Sequence, residues 1–342
     1  MRDVITIGSA TRDVFLQSDL FKIHHHSDSP TGLEQCFVLG SKVEVDNVHF
    51  EIGGGATNAA VTFARQGLAV AYLGKVGDDS AGREVKKDLE EEKISTGLLT
   101  LDKTTHTDYS TIILTPEGQR TILVYRCSSR DFAVEDIKLA ELKTKWIYIT
   151  SLAGDFAILE KVINFAAKEG IKVAINPGTK ELAHKDQLTP LLKKIEVLVL
   201  NKEEAAQFSG VPFGEDYKIW RAVCGVYGKI TVITDTKNGA IASDGSQLFK
   251  IGILPGEVVD RTGAGDSFGS GFVAGFIKSN GDMERGLKVA TVNATSVVGV
   301  IGAKPGIIYK NHPIPRISIG MMKLAGRRRL LKKSLQIHFS YR

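Results

Sequence analysis

From about residue 145 the chain repeats one pattern: a short, almost unbroken apolar run, then a longer amphipathic stretch. The apolar runs are Trp146–Thr150, Lys172–Ile175, Val197–Leu200 and Ile230–Thr234. Runs of four or five residues without polar alternation are what parallel strands need when both faces are covered. Between them, Phe156–Glu169 and Asp216–Tyr227 read as helices, and 264–303 reads as mostly helical. Strand–helix alternation predicts a doubly wound α/β sheet, and 342 residues suffice for one large domain. The earlier part of the chain differs. Val4–Ile7 is an apolar strand ending at Gly8, and Lys42–Phe50 alternates polar and apolar residues. Residues 107–126 give two strands around the turn Pro116-Glu117-Gly118-Gln119. These pieces predict a small second sheet. Residues 18–35, with His24-His25-His26, read as a surface loop, because consecutive side chains do not readily converge on one metal ion.

Several classes of protein are disfavoured. No apolar run reaches 18 residues, so no membrane-spanning helix is expected. The start lacks a basic segment followed by an apolar one and reads as a strand. Cys36, Cys127 and Cys224 lie far apart without metal-site spacing, so a cytoplasmic protein with reduced thiols is expected. The net charge of +5 is carried by the end of the chain: residues 310–342 hold nine Lys/Arg and no acid, and without them +5 becomes −4. Residues 311–342 are therefore read as a basic tail. Nucleic-acid binding through it is the weaker reading, with a solvated extension preferred.

The strongest local signal is Val258-Val259-Asp260-Arg261-Thr262-Gly263-Ala264-Gly265-Asp266-Ser267-Phe268. A Gly-Ala-Gly turn opening a helix lets backbone N–H groups approach an anion, and the positive end of the helix dipole points to the same place. A transferring phosphoryl group needs such an environment. Asp266 falls in the first helical turn, where a carboxylate can accept a hydroxyl proton; an ordinary cap or dipole partner is the competing reading. GxxxxGK[ST] is absent, as are HRDxxxxN and DFG, so Walker-type NTPases and protein kinases are disfavoured.

The segment DRTGAGDSFGSGF closely resembles the C-terminal signature of PfkB-type carbohydrate kinases. Gly53-Gly54-Gly55-Ala56-Thr57-Asn58-Ala59-Ala60 resembles their N-terminal Gly-Gly signature, in the right order and about 200 residues upstream. The resemblance covers roughly residues 3–310. It implies a ribokinase-like three-layer α/β/α domain over residues 1–310, with a β-sheet lid from segments about 13–17, 36–50 and 107–126. It implies ATP-dependent phosphorylation of a hydroxyl on a small sugar, with Asp266 as general base. It implies that Gly263, Ala264 and Gly265 supply an anion hole. Asn201-Lys202-Glu203-Glu204 matches the family's Asn-x-x-Glu motif, which implies that Asn201 and Glu204 serve nucleotide and Mg2+, Glu204 through water. The same four residues also spell a helix cap with its capping box. Thr234 and Gly239 match a nucleotide-binding stretch in which Thr236 replaces a glycine. K+ held by carbonyls near Asp260, Thr262 and Ser296–Gly302 is a further expectation from the family.

On the acceptor side, Gly8 to Asp13 matches the family's start, so Asp13 should grip vicinal hydroxyls, with Gly54 and Asn58 beside it. Arg261 stands where the family usually has Thr, and the acceptor side departs from ribokinases proper: Thr11 and Gly55 stand where Asn and Lys are usual, and no acid follows Tyr148–Ser151. Ribose itself is therefore not supported. A nucleoside acceptor remains the near alternative, with Phe15, Phe37 and Tyr125 as candidates for a base slot. A non-catalytic nucleotide- or sugar-binding regulator is the further alternative. Alternating Ile112, Leu114, Ile122 and Val124 suggests a lid face buried on substrate or in a homodimer.

Overall fold

The structure, a computed structural model, describes residues 1–29, 32–116 and 119–324, and the backbone of 340–341. The chain opens with β1 (Arg2–Ile7), then leaves the main sheet for β2 (Thr11–Gln17). A hairpin, β3 (Ile23–His25) and β4 (Leu33–Gln35), precedes β5 (Asn47–Gly53). α1 (Gly55–Arg65), β6 (Val70–Gly77), α2 (Ser80–Glu91) and β7 (Ser95–Asp102) follow. β8 (Asp108–Leu114) and β9 (Arg120–Tyr125) return to the lid, and the short α3 (Ser128–Asp131) leads back to β10 (Thr144–Ile149). The predicted alternation then runs its course: α4 (Phe156–Glu169), β11 (Lys172–Ile175), α5 (Thr179–Ala183), α6 (Lys185–Leu192), β12 (Val197–Asn201), α7 (Lys202–Ser209), α8 (Asp216–Val223) and β13 (Ile230–Thr234). β14 (Ala240–Ser243), β15 (Gln247–Ile251), α9 (Ala264–Lys278), α10 (Met283–Val298), β16 (Ile319–Lys323) and β17 (Ser340–Tyr341) complete the described chain.

The main sheet has the order β17-β16-β15-β14-β13-β12-β11-β10-β1-β6-β7. From β13 to β7 it is parallel, and from β13 outward to β17 antiparallel. Successive strand residues face opposite layers. Val197 and Val199 pack with α1, α9 and α10, while Leu198 and Leu200 pack with α4, α6, α7 and α8. Burial on both sides explains the continuous apolar runs and gives the expected three layers. The chain moves from β1 toward β7 first and later from β10 toward β13, so strand order reverses beside β1. Open α/β sheets bind ligands at such a switch point, outside the carboxyl ends of the strands.

The second sheet, β5-β2-β8-β9, is the predicted lid. Its boundaries shift: the strand expected from Lys42 begins at Asn47, and the segment expected from residue 13 begins at Thr11. The Glu117-Gly118 turn lies outside the described residues. Two expectations are corrected. Residues 18–35 are not wholly loop, because Ile23–His25 pairs with Leu33–Gln35. The C-terminal segment is not wholly a tail, because Ile319–Lys323 pairs with Gln247–Ile251 and Ile319 enters the core. Lys323 had drawn that apolar strand into a count of charges. The cluster Arg327–Lys333 lies outside the described residues. The helix expected to reach Tyr227 ends at Val223, ahead of Gly225 with φ 69°.

Candidate active site

Two loops and two helix starts converge at the switch point. β1 ends at Ile7, and the chain turns at Gly8, whose φ of 145° and lack of a Cβ allow it to lie against Thr150. Gly54, with φ 101°, precedes α1, and a Cβ there would sit 2.7 Å from Ala10 Cα. Across the crevice, Gly263 caps α9 with φ 75°, and a Cβ there would sit 2.9 Å from Ala303 Cα. The turn before α9 is folded about the buried Asp260. Its Oδ1 accepts from Thr262 N at 2.9 Å and Thr262 Oγ1 at 2.7 Å, and its Oδ2 accepts from Gly302 N at 3.1 Å. Nothing would obstruct a Cβ at Gly265 within 4 Å, so that side of the first turn is open.

Asp266 is half-buried at the head of α9. Asn58 Nδ2, from α1, donates to its Oδ2 at 2.9 Å, so two sequence-predicted residues 208 positions apart meet directly. Burial raises the Asp266 carboxyl above the usual range; the Asn58 bond opposes this and the charge of Asp13 adds to it. Gly55 packs against the same carboxylate: a Cβ there would lie 3.3 Å from Asp266 Oδ1 and 3.3 Å from Thr150 Cβ. A side chain in place of Gly55 would press on Asp266.

Asp13 lies on the inner face of the lid, buried, accepting from Thr11 Oγ1 at 2.8 Å and from the Ser110 hydroxyl. Burial raises it most, while Thr11, Ser110 and Lys304 pull it down. Gly53 is a glycine because a Cβ would fall on the Asp13 carboxylate. Thr11, which departs from the ribokinase pattern, thus orients the acid.

Three residues near the acceptor side were not foreseen. Glu51 and Ser110 stand in register with Asp13 on the flanking strands and share its face. Lys304 is 4% exposed and pairs with Asp88 Oδ2 at 2.6 Å; its charge also acts on Glu51 and Asp13. Alternation in β5 and β8 could have flagged the first two. Lys304 follows α10 in a loop and left no pattern.

The aromatic candidates scatter. Phe15 is buried with Ile112 and Leu114 beside Ile301, Phe37 packs edge-on to Phe21 at 5.6 Å, and Tyr125 lies on the outer lid face. Of the four alternating lid residues, Ile112 and Leu114 are buried, whereas Ile122 and Val124 on the edge strand are 42% and 50% exposed. Near the loop after β10, the buried acid is Glu181. It accepts from the amides of Leu152, Gly154 and Gly178 and from Ser151, so it is spent on loop structure.

Along the same sheet edge, Asn201 and Thr234 are partners in register. Asn201 Oδ1 accepts from Glu204 N, and Glu204 Oε2 accepts from Asn201 N, both at 2.8 Å, making a full capping box. Burial raises Glu204. Gly239, φ 80°, turns beneath the backbone of Ile251 and Gly252. Thr236, where the family's stretch has a glycine, has a left-handed backbone with φ 42°. Lys202 ties this loop down through Asp216 at 2.7 Å and Asp235 at 3.1 Å. Arg261 is exposed.

A glycine turn opening a helix, with a raised carboxyl at its head and a second raised carboxyl on the lid, thus lies at the switch point of an α/β sheet. Residues 1–308 match the family described as pfkB family carbohydrate kinase, and the chain belongs to that family. A ribokinase of Bacillus subtilis is 27% identical over 323 residues, covering 91% of this chain and 98% of the relative. Among solved structures, an Arabidopsis thaliana ribokinase complexed with ribose and ATP aligns with TM-score 0.74 at 20% identity, covering 90% of this chain and 96% of that one. A Methanocaldococcus jannaschii nucleoside kinase aligns with TM-score 0.71 at 19% identity, covering 90% and 95%.

Proposed function

We propose that the protein transfers the γ-phosphoryl group of ATP to a hydroxyl of a small, uncharged sugar, with Asp266 as general base. The acceptor oxygen attacks the γ-phosphorus, its proton passes to Asp266, and the bond from phosphorus to the leaving ADP oxygen breaks. The observation that carries the reading is Asp266 itself: a carboxyl raised by burial, aligned by Asn58, in the first turn of α9. A base closer to neutrality takes a hydroxyl proton more readily. N–H groups at Gly263, Ala264 and Gly265 complement charge developing on the transferred group.

Asp13 would hold two acceptor hydroxyls, with Asn58 and the Gly54 backbone beside them. Asp13, Glu51 and Asp266 face this side, while the buried Lys304 beside them is already paired with Asp88, which disfavours an anionic acceptor. The scattering of Phe15, Phe37 and Tyr125 away from a common wall favours a sugar over a nucleoside. Mg2+ fits Glu204, whose second carboxylate oxygen is left by the capping box, with Asn201, Thr234 and Gly239 lining the nucleotide side. When bound, Mg2+ would neutralise phosphate charge. K+ is proposed beside the anion loop on carbonyls of Asp260 and Thr262. Exposed Ile122, Leu123, Val124 and Tyr125 on the edge strand β9 support pairing of two lids in a homodimer. Cytoplasmic location belongs to the same reading.

An ADP-release assay across pentoses, hexoses, sugar phosphates and nucleosides tests it. Acceptor-dependent turnover with an uncharged sugar is expected; turnover confined to sugar phosphates or nucleosides would overturn the assignment of the acceptor.

A further inference from the structure

At the far end of the helices that form the site lies a cavity of about 150 Å³. It is walled by the C-terminal turn of α9, the first turn of α10, the end of α1 and the segment 308–314. Lys278, Arg285 and Lys310 line it, with His312 beside them and Val289 and Ile308 as its apolar wall. No acidic residue lines it. Lys278 Nζ donates to Gln66 O at 2.7 Å, and the Lys310 side chain passes 3.1 Å from where a Cβ on Gly67 would stand. None of the three cations forms an ion pair among the described residues. Burial lowers the Lys278 ammonium, and the charges of Lys310 and Arg285 lower it further.

Ordinary capping accounts for part of this. A lysine at the C-terminal end of a helix answers its dipole, and Lys278 does so for α9 and α1. Arg285 has no such excuse. It sits in the first turn of α10, where the dipole disfavours a cation, and it turns toward two lysines. Three converging cations repel one another unless an anion lies between them. A single carboxylate would neutralise one of them; a phosphate dianion offers more charge and three acceptor oxygens. The volume holds roughly five waters at about 30 Å³ each, enough for a phosphate group and little more than a small attachment.

We propose that this cavity binds a phosphate group, either inorganic phosphate or the phosphate of a small phosphorylated metabolite, at a site separate from the catalytic one. Asp266 and Lys278 stand on the same helix twelve residues apart, about 18 Å along its axis. Asn58 and Gln66 likewise sit toward opposite ends of the α1 segment. The catalytic ends of the two helices are joined by Asn58–Asp266 and the far ends by Lys278–Gln66.

The test is calorimetric titration of the full-length protein, its active site saturated with ADP, with potassium phosphate or glucose 6-phosphate at constant ionic strength. The comparison is the double variant Arg285→Gln, Lys310→Gln. Both side chains are exposed, so the fold should persist, and turnover without added phosphate should match the unsubstituted protein. Saturable binding that weakens at least tenfold in the double variant is expected. Tighter binding of inorganic phosphate identifies the free ion as ligand, and tighter binding of glucose 6-phosphate identifies a metabolite. Binding that is not saturable, or that the double variant retains, would overturn the proposal.

Discussion

Replacing Asn58 by alanine separates the two roles that converge on that side chain. Asn58 Nδ2 donates to Asp266 Oδ2 at 2.9 Å and holds down a carboxyl that burial and Asp13 push up. A hydrogen bond to a charged group contributes about 1.5–3 kcal/mol. Its loss disfavours the ionised base by that amount, which corresponds to roughly a 10- to 150-fold change in the equilibrium. The sign follows directly. Asp266 must be ionised to act as base, so kcat/KM falls as pH drops below its pKa; raising that pKa moves the acid limb to higher pH. On the limb, the variant should lose about 10- to 150-fold. Above it, the loss should shrink, because the carboxylate is ionised again and is a stronger base. The assay is kcat/KM from initial rates of ADP release between pH 5 and 9. An unmoved limb with an equal loss at every pH would refute the coupling and leave Asn58 as an acceptor contact only.

Other substitutions reach different parts of the account. Burial raises the Asp13 carboxyl, so its protonated form favours the fold below the ordinary carboxylate pKa, and that contribution is lost as pH rises through the folded value. Asp13→Asn should therefore raise Tm at pH 7, with the gain vanishing near pH 4, while KM for the acceptor rises; a lower Tm at pH 7 would contradict the sign. Burial lowers the Lys304 ammonium, so its charge is held in the fold at a cost, and the Asp88 it leaves is partly exposed; Lys304→Met should therefore cost less in urea unfolding than the about 3–5 kcal/mol of breaking a fully buried pair; a loss at or above that range would contradict the sign. Thr236→Gly relieves a left-handed backbone on a β-branched residue, and a gain of about 0.5–1 kcal/mol should remain after glycine's entropy cost.

The parts of the fold that follow from periodicity were legible. Val197–Leu200 and Ile230–Thr234 had to be buried on both faces, and that requirement alone implies helices above and below the sheet. Glycine turns were legible for a related reason: Gly54 and Gly263 occupy backbone conformations that other residues resist. Charge counting misled at the C-terminus, where Ile319–Lys323 is a strand whose single lysine joined a sum dominated by residues beyond it. The hairpin at Ile23–His25 was hidden because three histidines and short strands carry no alternating apolar signal. Within the site, the pairing of Asn58 with Asp266 depends on how α1 and α9 pack, and no local spacing encodes it. Glu51 and Ser110 join the candidate site only through strand register, and Lys304 only through the path of a loop.

The central claim is that Asp266 takes the acceptor proton, and Asp266→Asn tests it most directly. Asparagine keeps the size and the contact to Asn58 but cannot accept a proton at neutral pH. Single-turnover kcat at pH 7.5, measured beside the Kd for ADP, should fall about 10²- to 10⁴-fold while ADP binding changes by less than about threefold. A kcat within about tenfold of the unsubstituted protein would contradict the assignment of Asp266 as base.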